Sequence, residues 1–146
     1  MPDSDPDITR LADALRPALL RVSRRLRQEA NRVGLSAQDA LLLGAILKRP
    51  GIGVSELADL EQTSKPTMSA HVKRLEAAGW VERRGDAQDA RRAGLVVTPA
   101  GAKQIEAIRR LRNDWLAARL TRLGPAERER LAAAAEPLLQ LVSLEP

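Results

Sequence analysis

Residues 64–74, Ser-Lys-Pro-Thr-Met-Ser-Ala-His-Val-Lys-Arg, gather three cations and no acid. Hydroxyls such as Ser64 and Thr67 donate to phosphate oxygens. Lys65, Ser69, Ala70 and Lys73 suit base edges and thymine methyls, and Arg74 adds a further cation. Small side chains along such a helix let its backbone sit deep in a groove. A second cluster, Asp89-Ala90-Arg91-Arg92, has a different chemistry. A long cation such as Arg91 reaches into a narrow, A/T-rich minor groove, and Asp89 two residues earlier can hold its guanidinium by a bidentate pair. Arg84 and Arg92 fit phosphate contacts. The plainer reading of both clusters is a solvated charged surface.

Other chemistries are closed by composition. The chain has no Cys and a single His, His71. Disulfides, thiolate zinc sites and cysteine nucleophiles are therefore absent, and no nucleophile–base–acid set can be assembled. We expect neither an enzyme nor a metal or cofactor site. His71 lies beside the apolar stripe Met68, Val72 and Leu75, where it either packs partly against the core or reaches DNA. Gly51-Ile52-Gly53 has neither the further glycine nor the lysine of a phosphate-binding loop and reads as a plain loop.

Twenty of the 24 basic residues are Arg, set against 19 acids in 146 residues, giving a net charge of +5. That balance favours a polyanionic partner. It does not locate the surface, because residues 1–34, 35–99 and 100–146 carry +2, +1 and +2 in turn (7 basic and 5 acidic, 9 and 8, 8 and 6). No run of 18 apolar residues is present, so no transmembrane span is expected. The start, MPDSDPD, lacks the apolar region of a signal peptide. A cytoplasmic protein is the expectation.

The elements that must carry these residues are mostly helical, since Ala (24) and Leu (23) dominate and Trp80 and Trp115 are the only aromatics. Ile8, Leu11, Leu15, Leu19, Val22, Leu26, Ala30 and Val33 form one helical stripe, with a kink or a fresh start at Pro17. The opposite face carries Arg16, Arg21, Arg24, Arg25, Arg27 and Arg32, a solvated face rather than a membrane-lying one. Gly34 ends that helix and Ser36 caps the next, about 37 to 48, with Leu41, Leu42, Ala45 and Ile46 inward. A short helix over 54 to 60 carries Leu57, Ala58 and Leu60. Thr63 or Ser64 then caps a helix running to Ala78, with Pro66 in its first turn and Gly79 in a left-handed terminal position. Two helices joined by a tight turn, the second with a small, cationic outer face, form a helix-turn-helix. Residues 80–84 and 95–97 read as two strands around a long polar turn over 85–93, with Trp80 anchoring the hairpin. Thr98-Pro99 opens a helix to about 122. Gly124-Pro125 opens the last, whose stripe is Leu131, Ala135, Leu138 and Leu141, with a bend at Pro137. Trp115 belongs to the core, a dimer interface or a ligand pocket.

A helix-turn-helix followed at once by a hairpin is a winged helix. Ser55-Glu56-Leu57-Ala58, Met68 to Leu75, Gly79-Trp80-Val81-Glu82-Arg83, Asp89-Ala90-Arg91 and Leu95-Val96-Val97-Thr98 together resemble the MarR family of bacterial transcriptional regulators. The motifs are clearest over residues 53–101, and the flanking helices match the family's order. The resemblance implies a mainly α fold with a small two-stranded β wing. It implies an N-terminal tail and dimerisation helix (1–34), a winged helix-turn-helix DNA-binding domain (35–99) and C-terminal dimerisation helices (100–146). In such a homodimer the first and last helices intertwine, and two winged helices bind the half-sites of a pseudo-palindromic operator on double-stranded DNA. The long apolar stripes agree, being large for so small a monomer to bury. The family mechanism implied is repression relieved by a small-molecule effector, which biases the chain between conformations with different wing or recognition-helix spacing. Without Cys, a thiol-oxidation switch is excluded. The alternative is a winged helix used as a protein-interaction module, against which Lys65, Lys73 and Arg91 argue.

Overall fold

The computed structural model describes residues 5–86 and 89–144; the side chains of residues 86 and 89–93 lie outside the described residues. Among the described residues six α-helices and one hairpin follow in order: α1 (Pro6–Gln28), α2 (Ala37–Lys48), α3 (Val54–Leu60), α4 (Lys65–Ala77), β1 (Val81–Asp86), β2 (Asp89–Val97), α5 (Pro99–Leu120) and α6 (Pro125–Ser143). The chain divides into two compact units, the first ending at Arg112 and the second beginning at Asn113 within α5.

In the first unit, α1 starts at Pro6 with the Asp5 carboxylate accepting from the Asp7 N–H, and runs through Pro17 as one helix. The apolar spacing continues across Pro17, and no new cap appears there. The helix gives way earlier than its stripe suggests, to a 3-10 turn over Glu29–Val33 closed by Gly34 at φ 76°. That turn buries Glu29 between Arg25 (3.7 Å) and Arg32 (3.0 Å), two cations that offset the cost of desolvating the carboxylate. Arg112 at the end of this unit donates from Nε to the Leu26 carbonyl (3.0 Å), a second donor to an acceptor in the last turn of α1 that also takes the Glu29 N–H.

The core is built from α2, α3, α4 and the hairpin. Leu42, Leu43, Ile46, Leu57, Met68, Val72, Leu75 and Leu95 are fully buried together. Burying each large aliphatic side chain contributes about 1.5–3 kcal/mol. One sequence expectation is corrected here. Leu41 is 53% exposed, and Leu43 takes the inward position beside Leu42 and Ile46. Three leucines in succession leave the phase of a helix undetermined, so only packing chooses between them.

The wing also differs from expectation. The antiparallel ladder runs from Val81–Val97 out to Asp86–Asp89, with a register shift between Arg84 and Asp86, so the strands extend well into the stretch read as a turn. Polar residues obscured the alternation, because this ladder leaves the core early. At its base Ile52 bridges Leu95, with Gly51 N–H to Leu95 O and Leu95 N–H to Ile52 O both at 2.8 Å. The loop 51–53 thus adds an edge to the hairpin. A Cβ at Gly94 would overlap the Gly51 carbonyl, which explains a glycine in mid-strand. The Thr98 hydroxyl donates to Gly79 O (2.6 Å) and accepts from Gly101 N–H (3.1 Å), closing the hairpin and opening α5 in one residue.

In the second unit, Arg119 stacks its guanidinium 4.0 Å from the centre of the Trp115 ring and donates to the Trp115 carbonyl. α6 continues through Pro137 and leaves Leu139 (71%) and Val142 (86%) exposed.

Candidate nucleic-acid interface

α3 and α4 are joined by Glu61–Ser64, with Gln62 at φ 50° making the tight reversal. Ser64 caps α4 by accepting from the Thr67 N–H (3.2 Å), and its own proton goes to Thr67 Oγ1 (2.8 Å). Ser64 is therefore the cap that sets the start of the helix, and the Thr67 O–H is left to donate outward. Met68, Val72 and Leu75 fix the inner face, so the remaining positions must face away from the core. Lys65, Thr67, Ala70, Lys73 and Arg74 are exposed, and Ser69 is half-buried. The ammonium groups of Lys65 and Lys73 have no ion-pair partner among the described residues.

The arginines behave differently. Arg74 meets Asp39 of α2 (2.6 Å) and also touches Nδ1 of His71 (2.9 Å), tying the end of α4 to the first turn of α2. Arg83 on β1 pairs with Glu76 of α4 (2.9 Å), bracing the wing against the recognition helix. Arg84 lies along the strand against Glu82 (2.8 Å) and remains largely exposed. Asp89, Arg91 and Arg92 are on β2, with side chains outside the described residues. Trp80 is half-buried and packs against the core, as the anchor of the hairpin should.

The structure thus brings residues 64–74 onto one exposed helix and mounts the hairpin carrying Arg84 beside it. Asp39 and Glu76 are the residues that sequence reasoning missed. Asp39 lies in the first turn of α2, and nothing in the sequence connects it with Arg74, 35 positions away. Glu76 and Arg83 are seven apart across a helix end and a turn, a spacing with no periodic signature.

A helix-turn-helix with an exposed cationic second helix, closed by a two-stranded wing, is the geometry on which known proteins can be compared. The MarR family model matches residues 33–92. An HTH-type transcriptional regulator of Mycobacterium bovis is 34% identical over 146 residues, all of both chains. The chain belongs to the MarR family. A MarR-type winged helix also describes its solved neighbours. A transcriptional regulator protein of Pseudomonas aeruginosa matches with a TM-score of 0.83 at 30% identity, covering 97% of this chain and 99% of that one. A mutant of the Staphylococcus aureus regulator MepR, solved bound to an oligodeoxyribonucleotide, shares the fold with a TM-score of 0.69 at 22% identity, over 90% of this chain and 97% of that one.

One further feature of the first unit bears on this MarR-family chain. An open groove of about 530 Å³ is lined by Leu19, Val22 and Leu26 of α1, Ala40 and Leu41 of α2, and Arg112 of α5. Among the described residues no three His, Asp or Glu side chains cluster to hold a metal, and no helix is long and apolar enough to cross a membrane.

Proposed function

We propose that this protein is a sequence-specific regulator that binds double-stranded DNA as a homodimer in the cytoplasm, represses transcription and is released by a small-molecule ligand. The observation that carries the reading is the outer face of α4, where Lys65 and Lys73 have no ion-pair partner among the described residues and stand among small residues with no acid in the stretch. Thr67 donates to phosphate, while Lys65, Ser69, Ala70 and Lys73 approach base edges in the major groove. Arg91, positioned by Asp89, enters the adjacent minor groove, with Arg84 and Arg92 on phosphates. The oligonucleotide held by MepR on the same fold supports this assignment.

Dimerisation is supported by what α1 and α6 leave uncovered. Ile8 (62%) and Leu11 (55%) on α1, with Leu139 and Val142 on α6, are apolar residues on faces that the single chain does not bury. The domain roles follow: residues 1–34 and 100–146 dimerise, and 35–99 bind DNA. Ligand release is supported by the groove beside Leu26 and Arg112, since a molecule seated there contacts α1, α2 and α5 together and shifts whichever arrangement it fits best.

The test is selection of bound genomic fragments by the purified protein at near-physiological salt. The proposal expects enrichment of one inverted repeat. Binding that ignores sequence would sink it, and retention of no DNA would turn the winged helix toward a protein partner.

A further inference from the structure

One side chain on the recognition helix is held in a chemically defined state by its neighbours. His71 Nδ1 lies 2.9 Å from Arg74 Nη2, and the same Nη2 lies 2.6 Å from Asp39 Oδ1. A guanidinium has donors only, so Nδ1 must be the acceptor. The two hydrogens of Nη2 serve the two acceptors, one each. The imidazole proton therefore sits on Nε2, and the ring is neutral in this arrangement. Nε2 has no hydrogen-bond partner among the described residues, and it is not among the buried orphaned atoms, so it reaches solvent.

The position of His71 gives that donor a direction. Ser64, Thr67, His71 and Arg74 follow one another at three- and four-residue steps, a single flank of α4. On that flank the Thr67 O–H is left to donate outward, because the Ser64 proton occupies Thr67 Oγ1. Thr67 and His71 are thus two neutral donors one helical turn apart, beside the cationic face carrying Lys73. Asp39, mostly buried at 14% exposure, anchors the set from α2.

We infer that His71 is a DNA-contacting residue that donates from Nε2 to a phosphate oxygen, with Asp39 and Arg74 as positioning residues that fix its tautomer and ring. This rests on the DNA-binding reading above. It reassigns Arg74 from direct contact to orientation of a neighbour.

The experiment compares the intact protein with His71→Ala, His71→Gln, His71→Asn, Asp39→Ala and the double variant Asp39→Ala with His71→Ala, on the selected operator and on an unrelated duplex, over a salt series. Thermal melts of each variant accompany the titrations. Gln places an amide donor near the position of Nε2, whereas Asn reaches only that of Nδ1. His71→Ala and His71→Asn are expected to bind both duplexes about 3- to 10-fold more weakly, and His71→Gln close to the original. The slope of log K against log salt stays unchanged, because a neutral donor releases no counterion. Asp39→Ala is expected to weaken binding by a similar factor and to add little on top of His71→Ala, since both remove one contact.

The inference is overturned if His71→Ala binds as the original does, if Asn substitutes as well as Gln, or if the salt slope drops by about 0.9, the signature of a charged contact. A loss confined to the operator would contradict the phosphate assignment and move the donor to a base. If the unmodified protein binds neither duplex, the DNA-binding reading itself fails, and that result is distinct from all the others.

Discussion

Lys65 and Lys73 stand without ion-pair partners among the described residues, whereas Arg74, Arg83 and Arg84 each meet a carboxylate. The distinction sets the two lysines, whose charge is open to a partner, apart from Arg74 and Arg83, which tie neighbouring elements together; Arg84 pairs only within its own strand and stays largely exposed. Lys73→Ala should weaken operator binding by about 1–3 kcal/mol and, if the ammonium also neutralises phosphate, lower the salt slope by about 0.9; anisotropy titrations read both. Arg91→Ala should cost a similar amount while the protein stays folded, and an unchanged affinity would remove Arg91 from the interface. At this scale the sequence is informative about exposure but poor on pairing. The outward face of residues 65–74 follows from the spacing of Met68, Val72 and Leu75. The Asp39–Arg74 contact spans the whole of α3, and only the folded chain brings it together.

Elements were legible where the local code was redundant. Ser64 before Lys65-Pro66, Gly79 after α4, and Thr98-Pro99 before α5 each combine a cap with a residue of fixed backbone preference, and the helices begin and end within a residue or two of them. Ser64→Ala should accordingly lower stability by about 0.5–2 kcal/mol, measured by chemical denaturation. Legibility failed where the code was degenerate. Leu41-Leu42-Leu43 offers three equivalent candidates for the core, and the packing against the hairpin selects the last two. The wing failed for another reason, since charged residues along a two-stranded ribbon mask its strand alternation. Its attachment depends on the close approach of Gly94 to the Gly51 backbone. Gly94→Ala should destabilise the fold by about 1–3 kcal/mol through that overlap, and an unchanged denaturation midpoint would show the wing to be looser than described.

For the whole molecule, the apolar stripes of α1 and α6 were visible as periodicity, but periodicity does not say what covers them. The exposed Leu139 and Val142 leave the question to a second copy of the chain. Replacing both with Asp should shift the protein toward monomer in sedimentation and weaken operator binding in parallel, because one winged helix alone reads half a site. Loss of neither would place the interface elsewhere. The central claim is that two copies set their α4 helices into successive major grooves of one inverted repeat. Hydroxyl-radical footprinting on a selected fragment, with the mass of the complex measured alongside, tests it most directly. Two chains per fragment and two protected half-sites on one face of the duplex, centred about 34–36 Å apart, are the expected result. A single protected patch, or one chain per site, would contradict it.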